Sequence, residues 1–226
     1  MPPSALLDRL RELHEGGRDL KILDLGGWAM PCRQATHIVD IMPFETLRTG
    51  LAYGFGEMRL QPDHYHQIDL GKGEPLPFPD KFFDFAICRH TLEDIANPVF
   101  VCRELSRVSR AGYVETPHRV YESTKGVERH QWAGHYHHRW LVEMEGGKVV
   151  FQMKPHNLHS RPSFHFWCPP WKKVRAEFEN TWLLWEGSIP AEERVIIDSR
   201  EVKQNLSDFK RRYRTARRLR WRWQAD

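Results

Sequence analysis

The residues best placed for chemistry are carboxylates at the ends of apolar runs and a crowd of histidines. Asp24 sits in Lys21-Ile-Leu-Asp-Leu-Gly-Gly-Trp-Ala, a short apolar stretch that runs into a tight turn at Gly26-Gly27. Asp40 closes the next apolar run, Thr36-His-Ile-Val-Asp, and Asp69 closes Tyr65-His-Gln-Ile-Asp. A strand, a glycine turn and a second strand ending in a carboxylate open a nucleotide-binding α/β unit. The glycines let the backbone approach a ligand, and the carboxylate can take the hydroxyls of a ribose. The chemistry implied is binding of an adenosine-containing cofactor.

The second concentration of reactive groups is His130, His135, His137, His138 and Arg139, with Glu115 and His118 just upstream. In an extended chain His135 and His137 face one side and His138 the other. Three readings stand side by side. The histidines pack and cover the surface; or they form with Arg139 a polar pocket for hydroxyls, phosphate or carboxylate; or two of them and a carboxylate hold a divalent metal. The spacing matches no standard zinc pattern. Six of the nine tryptophans follow in the same half of the chain, from Trp132 to Trp185, and suit core and pocket walls.

These groups need elements to position them. Residues 4–14 carry apolar side chains at helical spacing after Ser4, a residue type that caps helices. Strands are expected at 21–25, 37–41, 65–69, 82–88 and 111–117, with a short helix and a loop over 44–62. A helix over 91–109 has Pro98 inside it, which marks a kink or a break. Strands that alternate with helices argue for a mostly parallel sheet with helices on both faces. After residue 118 the pattern changes. Residues 140–144 and 148–153 flank a glycine turn and read as an antiparallel hairpin. Residues 155–171 read as irregular, further strands are expected at 182–186 and 194–198, and the end of the chain from 200 reads as a basic helix.

Composition narrows the class. Of 226 residues 40% are hydrophobic, enough for a packed core. No apolar run nears the roughly 18 residues that span a bilayer, and the opening residues lack a basic-then-apolar signal pattern. The four cysteines are widely spaced with no CxxC pair, which argues against a disulfide framework or a cysteine-based zinc site and for a reducing cytoplasm. The net charge of +4 comes from the C-terminal end, where Lys210 to Arg222 hold eight basic residues and no acid. That tail reads as a solvated helix, as an anionic-membrane-surface helix over 208–226 with interfacial Trp221 and Trp223, or as a nucleic-acid contact. The body of the chain has no basic stripe to support the last.

With Ile22-Leu-Asp24-Leu-Gly26, Asp40, Asp69 and Phe83-Asp-Phe-Ala-Ile-Cys-Arg-His90-Thr-Leu-Glu93-Asp-Ile in hand, the chain resembles the class I S-adenosylmethionine-dependent methyltransferases of the "type 11" branch over residues 20–120. The resemblance implies a Rossmann-like α/β fold with an additional antiparallel hairpin region in the C-terminal half. It implies a methyltransferase-like domain over 1–200, its cofactor core at 20–120 and a variable substrate region at 120–200, followed by a basic helix at 201–226. Asp24, Gly26, Gly27 and Trp28 would border the methionine end of S-adenosylmethionine. Asp40 and Ile41 would hold the ribose side, Asp69 and Leu70 the adenine, and Arg89 and His90 would face the methyl group. The turn departs from the family pattern, with Trp28 and Ala29 where glycines are usual. The activity implied is in-line methyl transfer to a small-molecule or glycan-type acceptor, at oxygen, with a catalytic base drawn from His90, Glu115, His118, His135, His137 and His138. The rival readings are a nucleic-acid methyltransferase that uses the tail, and a scaffold that keeps the fold without catalysis.

Overall fold

The computed structural model describes residues 4–17, 19–170, 172–213 and the backbone of 220–221. Leu6 and Leu10, one helical turn apart, are fully buried and fix the inner face of helix α1 (Ser4–Glu15). Strand β1 (Ile22–Leu25), β2 (His37–Asp40), β3 (Tyr65–Gln67) and β4 (Phe83–Arg89) follow. Helix α2 (Pro98–Val108) then leads into β5 (Ser109–Pro117). The helix expected over 91–109 begins only at residue 98. The Asn97 side chain caps it by accepting from the Phe100 N–H at 3.1 Å, and Pro98 takes the first helical position, where its missing N–H costs nothing.

The chain continues through α3 (Arg119–Glu122), β6 (Thr124–Lys125), β7 (Trp140–Glu145), β8 (Lys148–Met153), β9 (Phe166–Trp167) and β10 (Lys172–Lys173). It then forms β11 (Asn180–Glu186), β12 (Ala191–Arg194), α4 (Ser199–Arg212) and β13 (Arg220–Trp221). The six-stranded sheet has the order β11-β5-β4-β1-β2-β3, and its β1–β2, β1–β4, β2–β3 and β4–β5 pairs are all parallel. Strand β4 explains why the sheet core is dry: Phe83, Phe85 and Ile87 alternate with Ala86 and Cys88, and all five are at most 1% exposed. Burying a side chain as large as Phe or Ile contributes about 1.5–3 kcal/mol each.

The connections depart from the expected alternation. The β1–β2 and β2–β3 links hold no α-helix; the second is built on 3-10 turns at Phe44–Thr46, Thr49–Leu51 and Pro62–His64. The strand expected at 194–198 lies instead at Ala191–Arg194. Val195 and Ile197 are exposed at 65% and 89%, so the apolar run that suggested a strand carries no buried face. Asp198 then caps α4 through the N–H groups of Arg200 and Glu201. The basic helix expected over 201–226 ends at Arg212, and Arg220–Trp221 pairs antiparallel with β10. The rest of the tail, 214–219 and 222–226, lies outside the described residues, and with it most of the membrane and nucleic-acid expectation.

Two compact units emerge. The first is Met1–Glu115 with Leu183–Pro190, and the second is Thr116–Trp182 with Ala191–Asp226. Within the second, β7 and β8 form the expected antiparallel hairpin and β12 adds to β8 in parallel. Arg119, 2% exposed, is held there by Glu143 and Asn205 and lies 4.3 Å from the Phe209 ring. Among the described residues no helix is long and apolar enough to cross a membrane.

Candidate cofactor site at the carboxyl edge of the parallel sheet

Parallel pairing brings the carboxyl ends of five strands to one edge. Leu25 pairs with Val39 and Cys88, Asp40 with Gln67, and Arg89 with Glu115. Strand order reverses between β1 and β4, and the crevice at such a switch point is where open α/β sheets bind ligands.

The turn after β1 is made tight by its glycines. Gly26 has φ +79°, and a Cβ there would lie 1.9 Å from Thr91 Oγ1. A Cβ on Gly27 would lie 2.6 Å from Asp24 Oδ2, so that glycine is what lets the Asp24 carboxylate lie along the turn. Asp24 is 2% exposed and accepts from the Cys32 N–H at 2.8 Å. Burial pushes its pKa up to about 7, against that hydrogen bond and the Arg89 charge, which pull it down. Asp40, 9% exposed, receives the N–H of Trp28 at 3.1 Å on one oxygen and that of Met42 at 3.0 Å on the other. Trp28 is fastened through its indole N–H to Thr46 Oγ1 at 2.9 Å, with Arg48 5.9 Å from its ring. Ile41, immediately after Asp40, is 56% exposed. Asp69 accepts from the Gly71 N–H at 2.9 Å and begins the 3-10 turn that holds Leu70.

At the ends of β4 and β5 lies a charge network that is buried except at His90, whose side chain is 43% exposed. Glu115, fully buried, accepts from Arg89 Nε at 3.2 Å and Nη2 at 2.9 Å, and from the Tyr113 hydroxyl. His90 Nε2 is 3.0 Å from the same carboxylate, and Nδ1 is 3.6 Å from Glu93, itself fully buried. His90 is held there with φ +50°, a conformation non-glycine residues rarely adopt, by its N–H bond to the Glu115 carbonyl at 2.9 Å. Burial of its nitrogens works to lower the His90 pKa, but the contacts to Glu115 and Glu93 outweigh it and hold the value up at about 9. Burial likewise opposes ionisation of Glu115, and its His90, Arg89 and Tyr113 partners overcome this and hold the carboxyl below its ordinary range. Arg89 also lies 4.8 Å over the Tyr53 ring. Sequence reasoning singled out neither Tyr113 nor Tyr53. Tyr113 was within reach of it, because residues i and i+2 of a strand share a face and Tyr113 is two before Glu115.

Asp24, Gly26, Gly27, Trp28, Asp40, Ile41, Asp69, Leu70, Arg89, His90 and Glu115 all fall in the first unit. His118, His135, His137 and His138 fall in the second and gather differently. His118 caps α3, its Nδ1 accepting from the Val120 N–H at 2.9 Å, and burial together with the Arg119 charge lowers its pKa to about 4. His135 and His138 converge on Glu122, a residue that sequence reasoning missed because a lone acid in a short helix carries no pattern. His137 is exposed, its ring centroid 4.5 Å from that of His138.

Residues 52–114 match the family model described as a methyltransferase domain. No curated protein matches the chain. Among solved structures, an S-adenosylmethionine-dependent methyltransferase from Mesorhizobium loti is 17% identical, covering 67% of this chain and 65% of that one with a TM-score of 0.35. A methyltransferase from Bacillus halodurans is 20% identical over 48% and 50%, with a TM-score of 0.31. A methyltransferase complexed with the Trm112 activator of Haloferax volcanii is 15% identical over 44% and 45%, with a TM-score of 0.32. The chain thus spans two thirds or less of these structures' own length.

A methyltransferase-domain match over residues 52–114 covers part of the first unit, and the cofactor such a match implies is S-adenosylmethionine. The residues at the edge fit such a ligand: a nearly buried carboxylate at the end of β2 adjoins an apolar side chain, Ile41, that is left open to solvent, and the glycine turn runs beside it.

Proposed function

We propose that this protein is a cytoplasmic S-adenosylmethionine-dependent methyltransferase that methylates an oxygen of a small-molecule or glycan-type acceptor. The observation that supports it most is the pairing of Asp40, tied to the Trp28 amide, with the exposed Ile41 at the carboxyl end of β2, the strand next to β1. Asp40 and Ile41 would hold the ribose and adenine side, with Asp69 and Leu70 beyond them. Asp24 and the Gly26–Trp28 turn would border the amino-acid end. When bound, the cofactor supplies an electrophilic methyl group on a sulfonium. Arg89 and His90 close the edge, and alignment of the acceptor oxygen there is what in-line transfer requires.

The acceptor's proton must leave as the oxygen–carbon bond forms, and His90 is the group proposed to take it. Its pKa of about 9 sets the terms, because at pH 7 only about 1% of it is the neutral base. A cationic ligand at this edge would push that value down and free the base as the site fills. Transfer should therefore rise with pH along a limb that ends at or below about 9.

Calorimetry with S-adenosylmethionine and S-adenosylhomocysteine tests the reading. Loss of a hydrogen bond to a charged group costs about 1.5–3 kcal/mol, so Asp40→Asn should weaken binding by roughly 10- to 100-fold. No heat with either ligand would overturn the proposal. It would favour a second reading, a non-catalytic protein of this fold, which draws on the fact that main-chain amides already occupy both Asp40 oxygens.

A further inference from the structure

The second unit builds a three-donor constellation that the proposed transfer does not use. Glu122 is 1% exposed at the end of α3, and its Oε1 lies 3.3 Å from His135 Nδ1 and 2.9 Å from His138 Nδ1. The two imidazole rings have centroids 4.5 Å apart. One ligand atom from each of the three residues falls within 4.8 Å of the other two. We propose that Glu122, His135 and His138 form a binding site for a divalent transition-metal ion of the zinc type.

The backbone is shaped for this convergence. Gly134 has φ +62°, and a Cβ on it would lie 2.7 Å from Glu122 Cα and 2.3 Å from its Oε2, so the histidine segment presses directly onto Glu122. The segment is pinned by the Gly134 N–H to the Thr124 carbonyl at 2.9 Å and by the Lys154 N–H to the Arg139 carbonyl at 2.8 Å. Two histidines and a carboxylate are a donor set that zinc accepts, with bonds of about 2.0–2.2 Å. In a tetrahedral site such bonds place donor atoms about 3.3 Å apart. The His135–Glu122 separation already meets this, and His138 needs to withdraw by about 0.4 Å. Each imidazole would bind as the neutral tautomer, with its lone pair on Nδ1 and its hydrogen on Nε2.

Lys154 gives the site a built-in competitor. Its ammonium, 6% exposed, reaches Glu122 Oε2 at 2.8 Å and the His135 carbonyl at 2.7 Å. It neutralises the buried carboxylate while leaving Oε1 toward the histidines. The Glu122 pKa reflects this: burial opposes ionisation, but His135, His138 and Lys154 together hold the carboxyl far below its ordinary range. His135 is 30% exposed, so the site is not sealed from solvent.

The test titrates the full-length, chelator-stripped protein with Zn2+, and with Co2+ for its ligand-field absorption. Expected is one saturable ion per chain, with affinity reduced at least about tenfold by His135→Gln and by His138→Gln and unchanged by His137→Gln. Lys154→Met should tighten binding, because it removes the competing charge. His135 is partly exposed, so its variant should keep the wild-type circular dichroism even if a Glu122 variant does not fold. No saturable binding, or binding that changes less than about threefold in both histidine variants, would overturn the site and leave only a buried ion pair. Equal weakening by His137→Gln would overturn the assigned ligand set.

Discussion

Glu115→Gln is the substitution that most sharply probes the charge network at the ends of β4 and β5. Glu115 has no exposed surface and accepts from Arg89 twice, from His90 and from Tyr113. Glutamine preserves the shape but removes the charge and turns one acceptor into a donor. The Arg89 side chain, 9% exposed, then keeps its charge without a counter-ion. Breaking a buried pair by removing one partner costs about 3–5 kcal/mol. The remaining amide oxygen recovers about 1 kcal/mol of hydrogen bonding, leaving an expected loss of about 2–4 kcal/mol. Against a typical total of about 5–15 kcal/mol that is a large fraction, readable as a lower urea midpoint at unchanged m. The same change should bring the His90 pKa down from about 9 toward its ordinary value, with Glu93 still holding part of the shift. NMR titration, with the His90 signal identified by difference from His90→Gln, reads this directly. A loss under about 1 kcal/mol together with an unmoved His90 titration would refute the network as drawn.

Further perturbations separate other parts of the structure. Gly26→Ala meets both a left-handed backbone and Thr91 Oγ1 at 1.9 Å, and should destabilise by several kcal/mol on the order of the strain and overpacking costs, with partial rescue by Thr91→Ala in denaturant melts. Two histidines should shape stability against pH with opposite sign. His90, raised to about 9, contributes stability fully present below about 6.5 and lost as pH rises through 9. His37, lowered to about 4 by burial and then by His64 and His66, contributes stability present above about 6.5 and lost as pH falls through 4. Melting temperatures across this range for His90→Gln and His37→Gln should each flatten one limb. Asp198→Ala removes the α4 cap and should cost about 0.5–2 kcal/mol, which urea melts will read.

The strands of the parallel sheet were legible because a doubly covered strand must be apolar throughout. Phe85 to Cys88 could bury both faces and does, with Asp84 at the strand's start left partly exposed. Asp40 was legible as a strand end because an acid that closes such a run sits at the sheet's edge, whereas Asp69, expected to close the third strand, lies two residues past its end at Gln67 and caps a 3-10 turn. Three features were not legible. Pro98 looked like a flaw inside a helix, because spacing alone does not distinguish a proline in the middle of a helix from one at its start. Val195 to Ile197 looked like a strand, but an apolar run forms one only with a surface to cover, and here the chain is bound for the α4 cap. Glu122 was hidden because its partners come from a loop that only Gly134 lets close on it. Local pattern reports period and polarity; it does not report which loops a single glycine will fold back.

The edge strand β11 has a consequence for how the chain is made. The first unit is discontinuous in sequence, and Trp185 lies so close over Gly112 that a Cβ there would come within 2.6 Å of the indole. Strand β5 therefore leaves the ribosome with one edge unclothed, and its indole cover follows about 70 residues behind. At about 5–20 residues per second that interval is roughly 4–14 seconds. An open, apolar sheet edge is a template for pairing with the wrong chain. The nascent protein is vulnerable for as long as the intervening residues take to be synthesised, and slowing translation between codons 118 and 183 should lower its soluble yield.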